Sequence, residues 1–179
     1  MNFKKGETIV KEIIRDIPDF PKEGIIFKDI TPLLGNPVEF QKMINTLKDR
    51  YADKQLDAVV GVEARGFIFA SALAYALGTG VVMVRKPGKL PYKTFQETYS
   101  LEYGTDTVEI HQDAFQEGQN ILVIDDVLAT GGTLSATLDL IQKNFKNVNV
   151  VEAAFLIELD FLKGREKLKD TPIHSMIHY

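Results

Sequence analysis

The stretch Ile121-Leu-Val-Ile-Asp-Asp-Val-Leu-Ala-Thr-Gly-Gly-Thr133 decides how the rest of the chain is read. Ile121 to Ile124 form an unbroken apolar run, as in a strand covered on both faces within a parallel sheet. Two carboxylates, Asp125 and Asp126, end that strand. After a loop of small residues, Leu134, Leu138 and Ile141 recur at helical spacing and predict a helix from about Gly132 with one apolar side. Gly131 and Gly132 let the backbone approach a ligand closely. Thr130 and Thr133 add hydroxyl donors, and Thr133 also suits a helix cap. Unpaired amides and the dipole at a helix start hold an anion without any Lys or Arg. The loop therefore suits a phosphate. Asp125 and Asp126 would repel that phosphate, and suit sugar hydroxyls or a magnesium ion instead. A Walker A loop needs a Gly-Lys-Ser/Thr ending that the chain lacks.

Upstream, Asp57 to Gly61 reads as a buried strand, and Arg65-Gly66 leads into an apolar helix through Leu77. The turn between them lies at the carboxyl end of a strand, where open α/β sheets bind ligands. Arg65 there can grip a diphosphate through two parallel hydrogen bonds, or simply cap the turn at the surface. Val81 to Val84 is the next strand, running into Arg85-Lys-Pro-Gly-Lys-Leu-Pro91. Basic residues held by prolines and a glycine favour an anion-binding loop containing Lys86 and Lys89; a solvated charge run is the plain alternative. Tyr92 to Thr98 is polar and turn-rich, a lid or the arms of a hairpin, and Tyr99 to Gly104 alternates as a strand. Thr107 to His111 and Asn147 to Leu159 read as further strands, with a short helix over Gly164 to Leu168.

Nearer the N-terminus, Ile9, Val10, Ile13, Ile14 and Ile17 make a helical stripe over Glu7 to Ile17 that Pro18 stops. Pro18 to Leu34, with its prolines and Gly24, reads as irregular chain carrying Ile25, Ile26 and Phe27. Val38 to Tyr51 is a second helix.

With 179 residues, the chain fits one domain with a sizeable core, plus a small subdomain. A net charge of −4 argues against a general nucleic-acid binder. The absence of cysteine excludes a disulfide framework and a thiolate zinc site. Nothing resembles a signal peptide or a bilayer span, so a cytoplasmic protein with no membrane partner is expected. The histidines, His111, His174 and His178, fall outside every motif.

The thirteen residues from Ile121 to Thr133 resemble the phosphoribosyl-diphosphate motif of type I phosphoribosyltransferases. Phe20-Pro-x-x-Gly-Ile-Ile-Phe-Lys-Asp-Ile-Thr-Pro-Leu-Leu34 is similar to the base-binding segment of the adenine phosphoribosyltransferases within that family. Matching segments run in order from Phe20 to Leu168. The resemblance implies an α/β fold in which a parallel twisted sheet is flanked by helices. A small N-terminal hood would come from residues 1–35 and the segment near 155–162 of one domain spanning 1–179. It implies purine salvage: the 5-phosphoribosyl group passes from phosphoribosyl diphosphate to adenine, giving AMP and diphosphate, with Mg2+ as cofactor and a homodimer as assembly.

By the same resemblance Phe27 stacks on the purine, and the backbone at Ile26 and Lys28 bonds its edge. Leu159 lines the base pocket or is plain core. Arg65, Lys86 and Lys89 clamp the diphosphate, and Ala129, Thr130, Gly131, Gly132 and Thr133 hold the 5′-phosphate. Asp125 and Asp126 hold the ribose hydroxyls, and Glu102, beside Tyr103, is the catalytic carboxylate. Magnesium would be held by the diphosphate and ribose hydroxyls, with Asp125 or Asp126 reaching it through water as an alternative. Where the family commonly has Asp-Ser before the Arg, this chain has Glu63-Ala64. The alternatives are transfer to another purine such as xanthine, and a non-catalytic regulator that senses phosphoribosyl diphosphate.

Overall fold

The apolar run of Ile121 to Ile124 forms the first half of a longer strand, Asn120–Leu128, at the centre of a five-stranded parallel sheet. The computed structural model describes residues 11–100, 104–168 and 170–179. It divides into two compact units, one running to Arg50 and the other from Tyr51 to Tyr179.

In the smaller unit, residues 11–13 are helical, but the helix expected to reach Ile17 does not. Arg15–Pro18 is instead a strand, β1, paired antiparallel with β2, Ile26–Asp29, inside the stretch expected to be irregular. The backbone ladder between the two strands is accompanied by two cross-strand ion pairs. Arg15 meets Asp29 at 2.6 Å and Lys28 meets Asp16 at 2.7 Å, contacts that only the paired strands allow. Asp29 also accepts from the Thr31 hydroxyl at 2.6 Å and the Thr31 amide at 2.9 Å, tying β2 to the short helix α1, Thr31–Leu34. Those Thr31 bonds, and then Arg15, hold its carboxyl down at about 2. Helix α2 follows as Pro37–Tyr51, with Met43, Ile44 and Leu47 buried.

The larger unit contains the strands β3 (Ala58–Val62), β4 (Gly80–Val84), β5 (Thr94–Ser100), β6 (Thr105–His111), β7 (Asn120–Leu128), β8 (Asn149–Glu158) and β9 (Ile173–His178). The parallel sheet runs in the order β4-β3-β7-β8-β9. Helix α3, Gly66–Leu77, covers one face, where a Cβ on Gly61 would lie 2.9 Å from that of Ala70. Helix α4, Gly132–Asn144, lies on the other, against Val60, Val62, Ile121 and Val123. β5 and β6 make the antiparallel hairpin whose arms the polar segment after Pro91 suggested. β9 had no counterpart in the sequence reading, because Ile173-His-Ser-Met-Ile-His178 alternates too weakly to announce an edge strand. No helix of the described residues is long and apolar enough to cross a membrane.

The hairpin joins the core through aromatic contacts. Phe145, at the end of α4, meets Phe115 edge-on at 4.9 Å and Phe95 edge-on at 5.6 Å. Phe145→Leu keeps most of the apolar area and removes both edge contacts, so denaturant unfolding should register a loss of about 1–2 kcal/mol.

Candidate functional site

Parallel strands leave their carboxyl ends on one edge of the sheet, and the connections there converge. β7 carries Asp125 and Asp126 to that edge and continues past them, because its pairing with β8 extends through Val127↔Ile157 and Leu128↔Glu158. Since side chains alternate along a strand, consecutive carboxylates cannot point the same way. Asp125 lines a cavity with Val62, Phe155 and the loop Ala129, Thr130, Gly131, Gly132 and Thr133. Asp126 is not among the cavity's lining; it is buried, 5 % exposed, and forms an ion pair with Arg65.

The loop geometry follows from its glycines. Gly131 takes φ +76° as the residue preceding α4, and its carbonyl accepts the Ser135 amide at 2.9 Å, the first turn of the helix. The amides that open α4 therefore face the cavity end of the loop with no side-chain cap competing for them. Thr133 bonds the Tyr99 hydroxyl at 2.9 Å.

Asp125 is crowded. A Cβ on Gly66, the first residue of α3, would lie 3.0 Å from the Asp125 carboxyl oxygen and 2.8 Å from the Ile124 carbonyl. Burial, followed by the charge of neighbouring Asp126, pushes the Asp125 carboxyl well above the usual carboxylate range, although the Asp126 amide donates to it at 2.8 Å. The cavity thus holds a carboxyl that gains from a cation or from hydroxyl donors.

The basic loop after β4 is tied into a polar network. Arg85 donates to both oxygens of Glu63 at 3.2 Å and to the Lys89 carbonyl at 3.1 Å. Burial alone would raise the Glu63 carboxyl, but the Lys86 amide at 2.8 Å and Arg85 more than offset it and hold it low. Lys86 forms an ion pair with Asp106, and Tyr99 donates to the same carboxylate at 3.0 Å. Burial opposes the charge on Lys86, yet Asp106 and Tyr99 raise its affinity for the proton; Asp106 is lowered in turn. Lys89 is exposed. The Glu63–Ala64 peptide, in the turn between β3 and α3, is cis.

Asp125 and residues 129–133 thus meet in one cavity, whereas Asp126, expected to act beside Asp125, is turned to Arg65 instead. Arg65, Lys86 and Lys89 sit on the loops after β3 and β4, with Arg65 and Lys86 already engaged by carboxylates. Leu159 follows β8, half-buried, its amide donating to the Leu128 carbonyl at 3.0 Å. Ile26, Phe27 and Lys28 lie on β2 of the smaller unit, where Phe20 meets Phe27 edge-on at 5.2 Å. Glu102 and Tyr103 lie outside the described residues.

Sequence reasoning missed Asp106 and the part played by Tyr99. Both follow from the register Tyr99↔Asp106, which a reader could have drawn only by knowing that β5 and β6 form a hairpin. The only cluster with metal-ligand geometry among the described residues, Glu158, Asp160 and His178, lies outside this cavity.

A phosphoribosyl transferase domain model matches residues 31–175 of the chain. Over 170 residues the chain is 57% identical to the adenine phosphoribosyltransferase of Geobacter metallireducens, covering 95% of this chain and 98% of that one. Among solved structures, the adenine phosphoribosyltransferase of Thermoanaerobacter pseudethanolicus superposes with a TM-score of 0.92 at 48% identity, covering 97% of this chain and 99% of that one. The Saccharomyces cerevisiae enzyme, solved with adenine and an imino-altritol bisphosphate, superposes with a TM-score of 0.89 at 41% identity, covering 96% of this chain and 98% of that one.

Proposed function

The chain belongs to the phosphoribosyl transferase domain family, and from that premise we propose that it is a pentosyl transferase of purine salvage. It moves the 5-phosphoribosyl group of phosphoribosyl diphosphate onto adenine, giving AMP and diphosphate. The observation that carries the reading is the meeting of Asp125 with the 129–133 loop in one cavity. The choice of adenine rests on relatives bearing that name along nearly their full length.

The reaction breaks the bond from ribose C1 to the diphosphate while positive charge grows on the sugar. The amides and hydroxyls of Ala129 to Thr133 hold the 5′-phosphate and so fix the sugar. Asp125 accepts from the ribose hydroxyls and sits near the developing charge, a preorganised stabilisation. Asp126 contributes through Arg65, which it orients. Arg65, Lys86 and Lys89 take the leaving diphosphate. Its multiple charge competes with the single carboxylates of Asp126 and Asp106 for the first two. Phe27 stacks on the purine, the backbone at Ile26 and Lys28 bonds its edge, and Leu159 is an apolar contact of the base. Glu102, beside Tyr103, takes the proton that the purine loses, directly or through a water.

Asp125 is a hard oxygen donor suited to magnesium, but one carboxyl is too few for a protein-built site, so the ion would be carried mainly by substrate oxygens. When bound it neutralises charge on the diphosphate. A homodimer is supported by apolar side chains left in water: Ile68 and Tyr75 on α3, the latter 91 % exposed, and Val81 and Met83 on the sheet-edge strand β4. The cytoplasm is the compartment this reaction and the cysteine-free composition suit.

A diphosphate-release assay with phosphoribosyl diphosphate and magnesium, run with adenine, hypoxanthine, guanine and xanthine, tests the proposal. Turnover is expected with adenine alone. Turnover with an oxo-purine would overturn the base assignment, and tight phosphoribosyl diphosphate binding without turnover on any base would make the protein a sensor.

A further inference from the structure

We propose that Gly164 is a positioning residue for the phosphate loop, and that the Arg165–Glu158 ion pair is the strut that holds it there. The inference rests on the reading that residues 129–133 bind the 5′-phosphate.

Gly164 opens a 3₁₀ turn, Gly164–Lys167, and is buried. A Cβ at this position would overlap the Ala129 carbonyl oxygen and lie 3.0 Å from the Gly131 amide nitrogen. Conversely, a Cβ on Gly131 would lie 2.5 Å from the Gly164 carbonyl oxygen. Two backbones thus touch with no side chain between them, directly behind the loop that faces the cavity. Gly164 is not among the residues at positive φ, so it is space and not backbone conformation that requires a glycine there.

The turn is anchored independently of the loop. Arg165 donates to the two oxygens of Glu158 at 2.9 and 2.5 Å and to the Ile173 carbonyl at 3.1 Å. Ser175 donates to Glu158 at 2.5 Å. Burial would raise the Glu158 carboxyl, but Arg165 and Ser175 outweigh it and keep the group ionised at neutral pH. Glu158 ends β8 beside Leu128, the residue before the loop begins. The forked geometry of Arg165 fixes the turn's direction as well as its distance, which a lysine cannot do. The C-terminal segment is therefore a platform: Glu158 sets Arg165, Arg165 sets the turn, and Gly164 sets the height of the loop.

The test compares Gly164→Ala, Arg165→Met and Arg165→Lys with the wild type, using steady-state kinetics and equilibrium binding of AMP and adenosine. In Gly164→Ala the KM for phosphoribosyl diphosphate should rise about 10- to 100-fold, the range a misplacement near 1 Å produces, while KM for adenine changes by less than about twofold. The preference for AMP over adenosine should fall by the same factor, with adenosine binding unchanged. If Gly164→Ala does not fold, Arg165→Met carries the same expectation, and Arg165→Lys should recover part of the lost preference. A folded Gly164→Ala with the wild-type preference overturns the proposal, as does equal loss of AMP and adenosine binding, which general destabilisation produces. A wild type that does not prefer AMP overturns instead the reading of the loop as a phosphate site.

Discussion

Replacing Gly131 with alanine is expected to cut kcat/KM for phosphoribosyl diphosphate by roughly 10²- to 10³-fold. The methyl group meets two independent obstacles. At φ +76° an L side chain is strained by about 1–2 kcal/mol. The new Cβ would also stand 2.5 Å from the Gly164 carbonyl oxygen, closer than real contacts allow. Relief requires either the loop or the 3₁₀ turn to move, and the turn is pinned by Arg165 on Glu158. The loop should move, turning its amides away from the phosphate. Strain and overpacking together should also lower stability by about 2–4 kcal/mol in denaturant unfolding. A folded Gly131→Ala enzyme with wild-type KM would mean that the loop does not hold the phosphate.

Asp125→Asn should separate stability from activity. The folded protein binds the Asp125 proton more tightly than the unfolded chain does, because burial and Asp126 disfavour the charge. Stability therefore falls as pH rises from the ordinary carboxylate range through the raised folded value, and above that value the penalty is constant. Asparagine carries no such penalty. Its side-chain oxygen can still accept the Asp126 amide that now donates to Asp125 at 2.8 Å. The variant and the wild type should melt alike at low pH and diverge as pH rises, with the variant more stable at neutrality. Each kcal/mol of repulsion relieved raises Tm by roughly 2–4 °C in a chain of this length. Activity should fall about 10²- to 10³-fold, the loss typical of removing one preorganised electrostatic contact from a reacting centre. A variant less stable than the wild type at every pH would show that Asp125 is held as a favourable anion.

Both experiments probe residues that were legible in the sequence, because the chemistry is packed into consecutive positions. A buried strand, two carboxylates, a glycine turn and a helix start need no distant partner to be recognised, and the helices at Gly66–Leu77 and Gly132–Asn144 begin where their glycines suggested. The smaller unit was less legible. Its isoleucine stripe has helical spacing, yet residues 15–18 pair with 26–29 in an antiparallel ladder flanked by ion pairs, a partnership visible only once the chain turns back on itself. Periodicity reports burial along one element and carries nothing about such pairings.

What the sequence by itself determined is the run of strands β3, β4, β7 and β8 along the chain, the helices α3 and α4 that connect them, and the glycine loop after β7. All of these rest on local hydrophobic pattern and on residues with special backbone freedom. Only the tertiary structure decided which carboxylate faces the cavity, since that depends on how far β7 pairs with β8 beyond Ile124. Only the tertiary structure revealed that Arg65 and Lys86 are held by Asp126 and Asp106, and that Gly164 lies against a loop more than thirty positions earlier. The reason is physical. A chain's local preferences fix which elements form, whereas ion pairs and backbone contacts between distant segments arise only when packing brings those segments to the same edge of the sheet.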